Sequence, residues 1–114
     1  NLFNITLNDP NRPGINYVAA LAFNDNSGIP LQDQRVIPLN PDPLFFFSLQ
    51  APQVLGLNDA TGTLNSNGQK TIQLNIPSFV PSGFTFKIAF VTVGAGSNLE
   101  YQIKSISHSA SITT

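Results

Sequence analysis

The chain has no cysteine, no tryptophan and no methionine, and only 10% of its 114 residues are charged. Without cysteine there is no disulfide framework, no thiolate nucleophile and no cysteine-held zinc. Five Lys and Arg against six Asp and Glu leave a net charge of −1. The cations Arg12, Arg35, Lys70, Lys87 and Lys104 are scattered along the chain. A nucleic-acid backbone needs clustered cations to neutralise its phosphates, so no nucleic-acid partner is expected, nor a polybasic membrane surface. No apolar run approaches the roughly 18 residues of a spanning helix, which predicts no membrane insertion. The chain starts at Asn1 without Met and lacks a charged-then-apolar leader. It reads as a trimmed segment or a module of a larger polypeptide, a reading that leaves room for a signal peptide removed beforehand.

What is present is alternation. In Phe84-Thr85-Phe86-Lys87-Ile88-Ala89-Phe90-Val91-Thr92-Val93, an extended backbone puts Phe84, Phe86, Ile88 and Phe90 on one face and Lys87 on the other. Phe3, Ile5 and Leu7 alternate with Asn4, Thr6 and Asn8 in the same way. Tyr17, Ala19, Leu21 and Phe23 form one face of a second strand, and Val18, Ala20 and Ala22 a smaller apolar face. That strand is expected to be central and covered on both sides. Prolines mark Ile29–Leu39 as edge strands or connectors. Leu44-Phe45-Phe46-Phe47-Ser48-Leu49 reads as a strand because three adjacent rings favour one, although Pro43 could open a helix. Asn65-Ser66-Asn67-Gly68-Gln69 lies between Gly62–Leu64 and Lys70–Ile76 and predicts a hairpin. Near the end, Tyr101 and Ile103 share one parity and Ile106, His108, Ala110 and Ile112 the other. Two short strands, or one with a bulge near Ser105, would reconcile them.

These patterns predict one all-β domain over residues 1–114. Nine phenylalanines supply much of its core. An Ig/fibronectin-like antiparallel sandwich of two sheets and seven or eight strands buries so many one-sided strands most simply. A small barrel or jelly roll is the other all-β solution.

From Pro13 onward the chain resembles a C-terminal β-sandwich module of secreted or surface proteins from planctomycetes and other environmental bacteria. The shared pattern runs through Pro13-Gly14 and Tyr17, then Pro43-Leu44-Phe45 with Ser48-Leu49. It continues through Gly62-Thr63-Leu64-Asn65-Ser66-Asn67-Gly68, Leu74-Asn75-Ile76-Pro77 and Gly83 to Ile106-Ser107-His108-Ser109. The family usually has Asp-Ala in place of Asn65-Ser66 and Ser-Asn in place of Ser107-His108. The resemblance implies an appended, secreted or cell-surface β-domain and carries no catalytic residues.

His108 is the only histidine. It shares parity with apolar neighbours, while Ser107 and Ser109 have the opposite parity, so a hydrolytic triad is disfavoured. The acids lie mostly in loops. Asp25 and Asp42 are weak candidates for a structural calcium, but no dense carboxylate ladder surrounds them and turn capping suits them better. No other cofactor is expected. A sugar platform would need an exposed ring flanked by hydrogen-bonding groups, and Tyr101 with Asn98, Glu100 and Gln102 fits that description best. Phe45 and Phe47 are candidates for a protein interface if one side of their strand lies open. Asn4-Ile5-Thr6 is an N-glycosylation triplet that matters only in a eukaryotic secretory product.

The expected function is therefore a noncatalytic extracellular accessory module that spaces, anchors or stabilises a larger protein. Its partners would be neighbouring domains or cell-surface components. A carbohydrate-binding module is the alternative, with polysaccharide as partner. A small hydrolase is a distant third.

Overall fold

The computed structural model describes residues 2–31, 33–78, 80–94 and 103–114. In chain order the strands are β1 (Leu2–Asn8), β2 (Asn16–Ala22), β3 (Ile29–Pro30) and β4 (Val36–Ile37). Helix α1 (Pro43–Gln50) and a 3₁₀ turn (Pro52–Leu55) follow. Then come β5 (Leu57–Asn58), β6 (Thr61–Thr63), β7 (Gln69–Asn75), β8 (Thr85–Val93), β9 (Ile103–Ile106) and β10 (Ala110–Thr113).

One sheet has the order β1-β7-β5, with β1 antiparallel to β7 along its whole length from Leu2↔Asn75 to Asn8↔Gln69. The second has the order β10-β8-β2-β6, and β9 also pairs with β8. Strands β3 and β4 form a separate two-stranded ribbon. Alternation decides which side chains meet. Leu7, Ile72, Leu74 and Leu57 from the first sheet pack against Tyr17, Ala19, Leu21, Phe86, Ile88 and Phe90 from the second. The outward residues Asn4, Thr6, Thr71 and Gln73 are exposed.

The opposite face of β2 and β8 carries Ala20, Ala22 and Ala89 at its buried centre. These small side chains let a third layer come close: Phe45 of α1 and Leu39 are buried there, with Ile29 and Ile37 of the ribbon packed alongside. Strand β2 is thus central and covered on both faces.

Two expectations fail here, for one physical reason. Leu44–Leu49 lies within a helix, because Asp42 Oδ1 accepts the Phe45 N–H at 2.9 Å as an N-cap and Pro43 occupies the first turn. The buried positions within α1 are Phe45 and Ser48, a helical spacing of three. The helix stands beside β2 where β6 stops. Along that edge the Ala19 N–H donates to the Ala60 carbonyl at 2.7 Å, the Leu21 N–H to Ser48 Oγ at 3.0 Å, and the Phe23 N–H to Asp42 Oδ2 at 2.8 Å. Two side chains of the helix and its cap thus do the hydrogen bonding of a missing strand.

Consequently the molecule is not an all-β Ig/fibronectin-like sandwich. Among the described residues it is a compact mixed α/β fold, with one helix and ten strands in three open sheets. Among those residues no helix is long and apolar enough to cross a membrane.

The hairpin expectation is also corrected. Asn65 and Gly68 form a tight turn, with the Gly68 N–H donating to the Asn65 carbonyl at 3.0 Å. However, β6 leaves it to pair with β2, and β7 leaves it to pair with β1 and β5. The turn is a corner between sheets. At the C-terminus, β9 and β10 lie in succession along β8, opposite Val91–Val93 and Thr85–Ile88, and a register shift inside β9, with Lys104 as the extra residue beside Ser105, absorbs the change of parity between Ile103 and Ile106.

Candidate functional site: an apolar cleft between the sheets

Strand β7 ends at Asn75, and Pro77 and Pro81 prevent the chain from continuing as paired strand before β8 begins. The two sheets are therefore not closed over at this end. A cavity of about 400 Å³ opens there. Its floor is Leu21, Leu74 and Phe86, its walls are Leu44, Val54, Leu55, Ile76 and Pro77, and its rim is Phe23, Val80, Pro81 and Phe84. Every described residue lining it is apolar. The rings of Phe23 and Phe84 meet edge to face with centroids 6.0 Å apart, and Phe84 and Phe86 lie 6.2 Å apart. Val54 is 66% exposed, Phe23 41% and Phe84 39%. These are large apolar groups left wet at the mouth of a dry floor.

The wall formed by the 3₁₀ turn depends on Gly56, which ends that turn at φ +82°. Its carbonyl accepts the Asn75 N–H at 2.8 Å, and a side chain at this position would run into the Asn75 carbonyl. Only glycine lets the turn dock against β7 and hold Val54 and Leu55 over the cleft. Both ends of the described chain lie here too. Leu2 pairs with Asn75, and Thr114 Oγ1 donates to the Pro81 carbonyl at 2.6 Å.

The sequence-derived candidates do not converge on this cleft. Tyr101, Asn98, Glu100 and Gln102 lie outside the described residues. Tyr17, the other tyrosine, is buried, and its hydroxyl donates to the Asp59 carbonyl at 2.6 Å. Burial foremost, with the nearby Asp59 carboxylate, pushes its phenol above the usual value. Asp25 accepts a hydrogen bond from Ser109 Oγ at 2.6 Å, while both Asp42 oxygens are taken by backbone N–H groups. Among the described residues no group of three or more His, Asp or Glu could share a metal ion.

Of the interface candidates, Phe45 is buried in the third layer and Phe47 is exposed. His108 falls between β9 and β10 and is exposed, instead of lying on a strand with Ile106 and Ile112. Its serine neighbours are engaged elsewhere. Ser107 Oγ accepts the Phe90 N–H and donates to the His108 carbonyl, each at 2.9 Å.

Sequence reasoning missed the cleft because each lining residue, taken singly, looks like core or connector. The available signal was Val80 and Phe84, large apolar residues set among the prolines and glycine of a turn. It also missed a polar chain at the other end of the sheets. The hydroxyl of fully buried Thr92 donates to Ser105 Oγ, which in turn donates to Asp9 Oδ2 at 2.6 Å. That chain ties the loop after β1 to β8 and β9.

Comparison of the chain with known protein families, with curated proteins and with solved structures finds no match in any of the three.

Proposed function

We propose that this domain is a noncatalytic accessory module of an extracellular or surface protein, and that it anchors by capturing an uncharged apolar group in the cleft. The observation behind this reading is the cavity of about 400 Å³ with its uniformly apolar lining. Pockets of roughly 300–1,000 Å³ suit small-molecule ligands, and dry cavities lined by Leu, Ile and Phe take up apolar molecules readily. Such a lining recognises by shape and desolvation, and it offers no group to exchange a proton or form a bond. The secreted setting rests on the low charge, the neutral polar surface and the strand-and-turn pattern. Neighbouring domains or cell-surface components are the partners this reading expects.

The affinity should be modest. At about 0.3 kcal/mol per non-hydrogen atom, a ligand of about 15 such atoms binds with about 4.5 kcal/mol, a Kd of roughly 0.5 mM. Titration with the neutral fluorophore N-phenyl-1-naphthylamine tests it. Saturable enhancement is expected, weakened at least about tenfold in Val54→Asp and Phe84→Asp, which put a charge at the apolar mouth. Val54 is largely solvated, so its variant should keep the fold, whereas Phe84 also packs on Phe23 and Phe86, so circular dichroism must first show that Phe84→Asp is folded. Absence of saturable binding, or equal binding by the folded variants, overturns the reading. Saturable binding to an insoluble polysaccharide that these variants leave intact would transfer the function to a sugar site.

A further inference from the structure

We propose that β1 is a self-pairing edge, through which two copies of this chain join their three-stranded sheets into one of six strands. Sheet edges invite pairing with another chain unless they are short, broken or charged. Among the described strands, β5 has two residues and β6 three, β10 has four, and β9 carries Lys104. Strand β1 has seven residues without charge, proline or register break, and in the described sheets it pairs on one side only, with β7.

Its sequence is complementary to itself. In a two-fold antiparallel arrangement centred on Ile5, Phe3 faces Leu7, Asn4 faces Thr6, and Ile5 faces its own copy. Apolar groups then meet on the inner face and Asn4 meets Thr6 on the outer face, while at the strand ends exposed Leu2 lies opposite Asn8. A slip of one residue would set Phe3 and Ile5 against polar partners, and a slip of two would shorten the overlap. Phe3 and Ile5 are only partly buried within one copy, so a partner strand would cover them further. A strand edge about 24 Å long and one sheet thick buries on the order of 600 Å² in total, below the roughly 1,200 Å² of a stable interface. The dimer is therefore a high-concentration or tethered species.

Sedimentation equilibrium across micromolar to millimolar protein tests this. Wild type should show a monomer–dimer equilibrium. The double variant Asn4→Lys with Thr6→Lys places ammonium groups opposite each other and should raise the Kd at least about tenfold. Both side chains are exposed, so its thermal unfolding should remain close to wild type. Mixing it with Asn4→Glu/Thr6→Glu should restore association between unlike copies only. Wild type that stays monomeric throughout, a lysine variant that dimerises like wild type, or a mixture that fails to associate each overturns the proposal. Capture of a foreign extended peptide by a wild type that stays monomeric would show that the edge serves another chain.

Discussion

Tyr17 shows how one side chain joins packing to titration. Its ring lies against Gly62, and its hydroxyl reaches the Asp59 carbonyl within the core between the sheets. The fold favours the neutral phenol, so the unfolded chain gives up this proton first as pH rises. Stability from this group is complete below about pH 10 and is lost as pH climbs through the raised folded value. Urea unfolding at pH 8 should show Tyr17→Phe less stable than wild type by about 1 kcal/mol, the worth of the lost hydrogen bond. Above pH 10 that gap should narrow, because only wild type carries the phenol. A gap independent of pH would contradict this assignment. Gly56 makes a separate residue-scale prediction. Gly56→Ala should cost more than about 1 kcal/mol, since it meets both a left-handed backbone and the Asn75 carbonyl. It should also weaken fluorophore uptake by shifting Val54 and Leu55, which combined thermal melts and titrations would measure.

At the scale of elements, α1 shows what alternation in a sequence can and cannot convey. Strands β1, β2, β7 and β8 were legible because one face of each is apolar and the other is polar or small. Helix α1 was not, because it is apolar almost throughout: Phe45 packs inward while Phe46, Phe47 and Leu49 remain exposed. The deciding features lay at its start, in Asp42-Pro43, and outside it, in β2 edge amides that needed acceptors. Period two also reports a strand's face and never its partner, which is why the corner at Asn65–Gly68 looked like a hairpin. The helix's role as a substitute strand is measurable. Ser48→Ala should leave the Leu21 N–H without its acceptor, at a cost of about 1–3 kcal/mol, and speed hydrogen exchange at that amide. Asp42→Ala should cost about 1–2 kcal/mol or more, because the Phe45 and Phe23 amides both lose their acceptor. Asp42→Asn should recover part of that loss. Unchanged melting of both alanine variants would mean that the helix is not held by these bonds.

For the whole molecule, the shared strands β2 and β8 bind three layers into one cooperative unit, since each contributes to both apolar clusters. Ile72→Ala, at a fully buried position in the opposing sheet, should destabilise by about 2–5 kcal/mol. Far-UV and tyrosine near-UV circular dichroism should still report one coincident transition. Two separated transitions would show that the layers melt independently. The cleft was the least legible feature at this scale. A cleft of this kind is core that lacks its final layer, and composition does not distinguish a leucine that is covered from one awaiting a cover.

The gathering of Leu2, Pro81 and Thr114 at one end has a practical corollary. Affinity tags or carrier proteins joined to either terminus would crowd the hydrophobic opening and could be mistaken for its occupant. The loop bearing Asn67 lies at the other end of β7 and is exposed. Because the chain has no native cysteine, Asn67→Cys would give a single attachment point for immobilising the molecule with its opening directed toward solution.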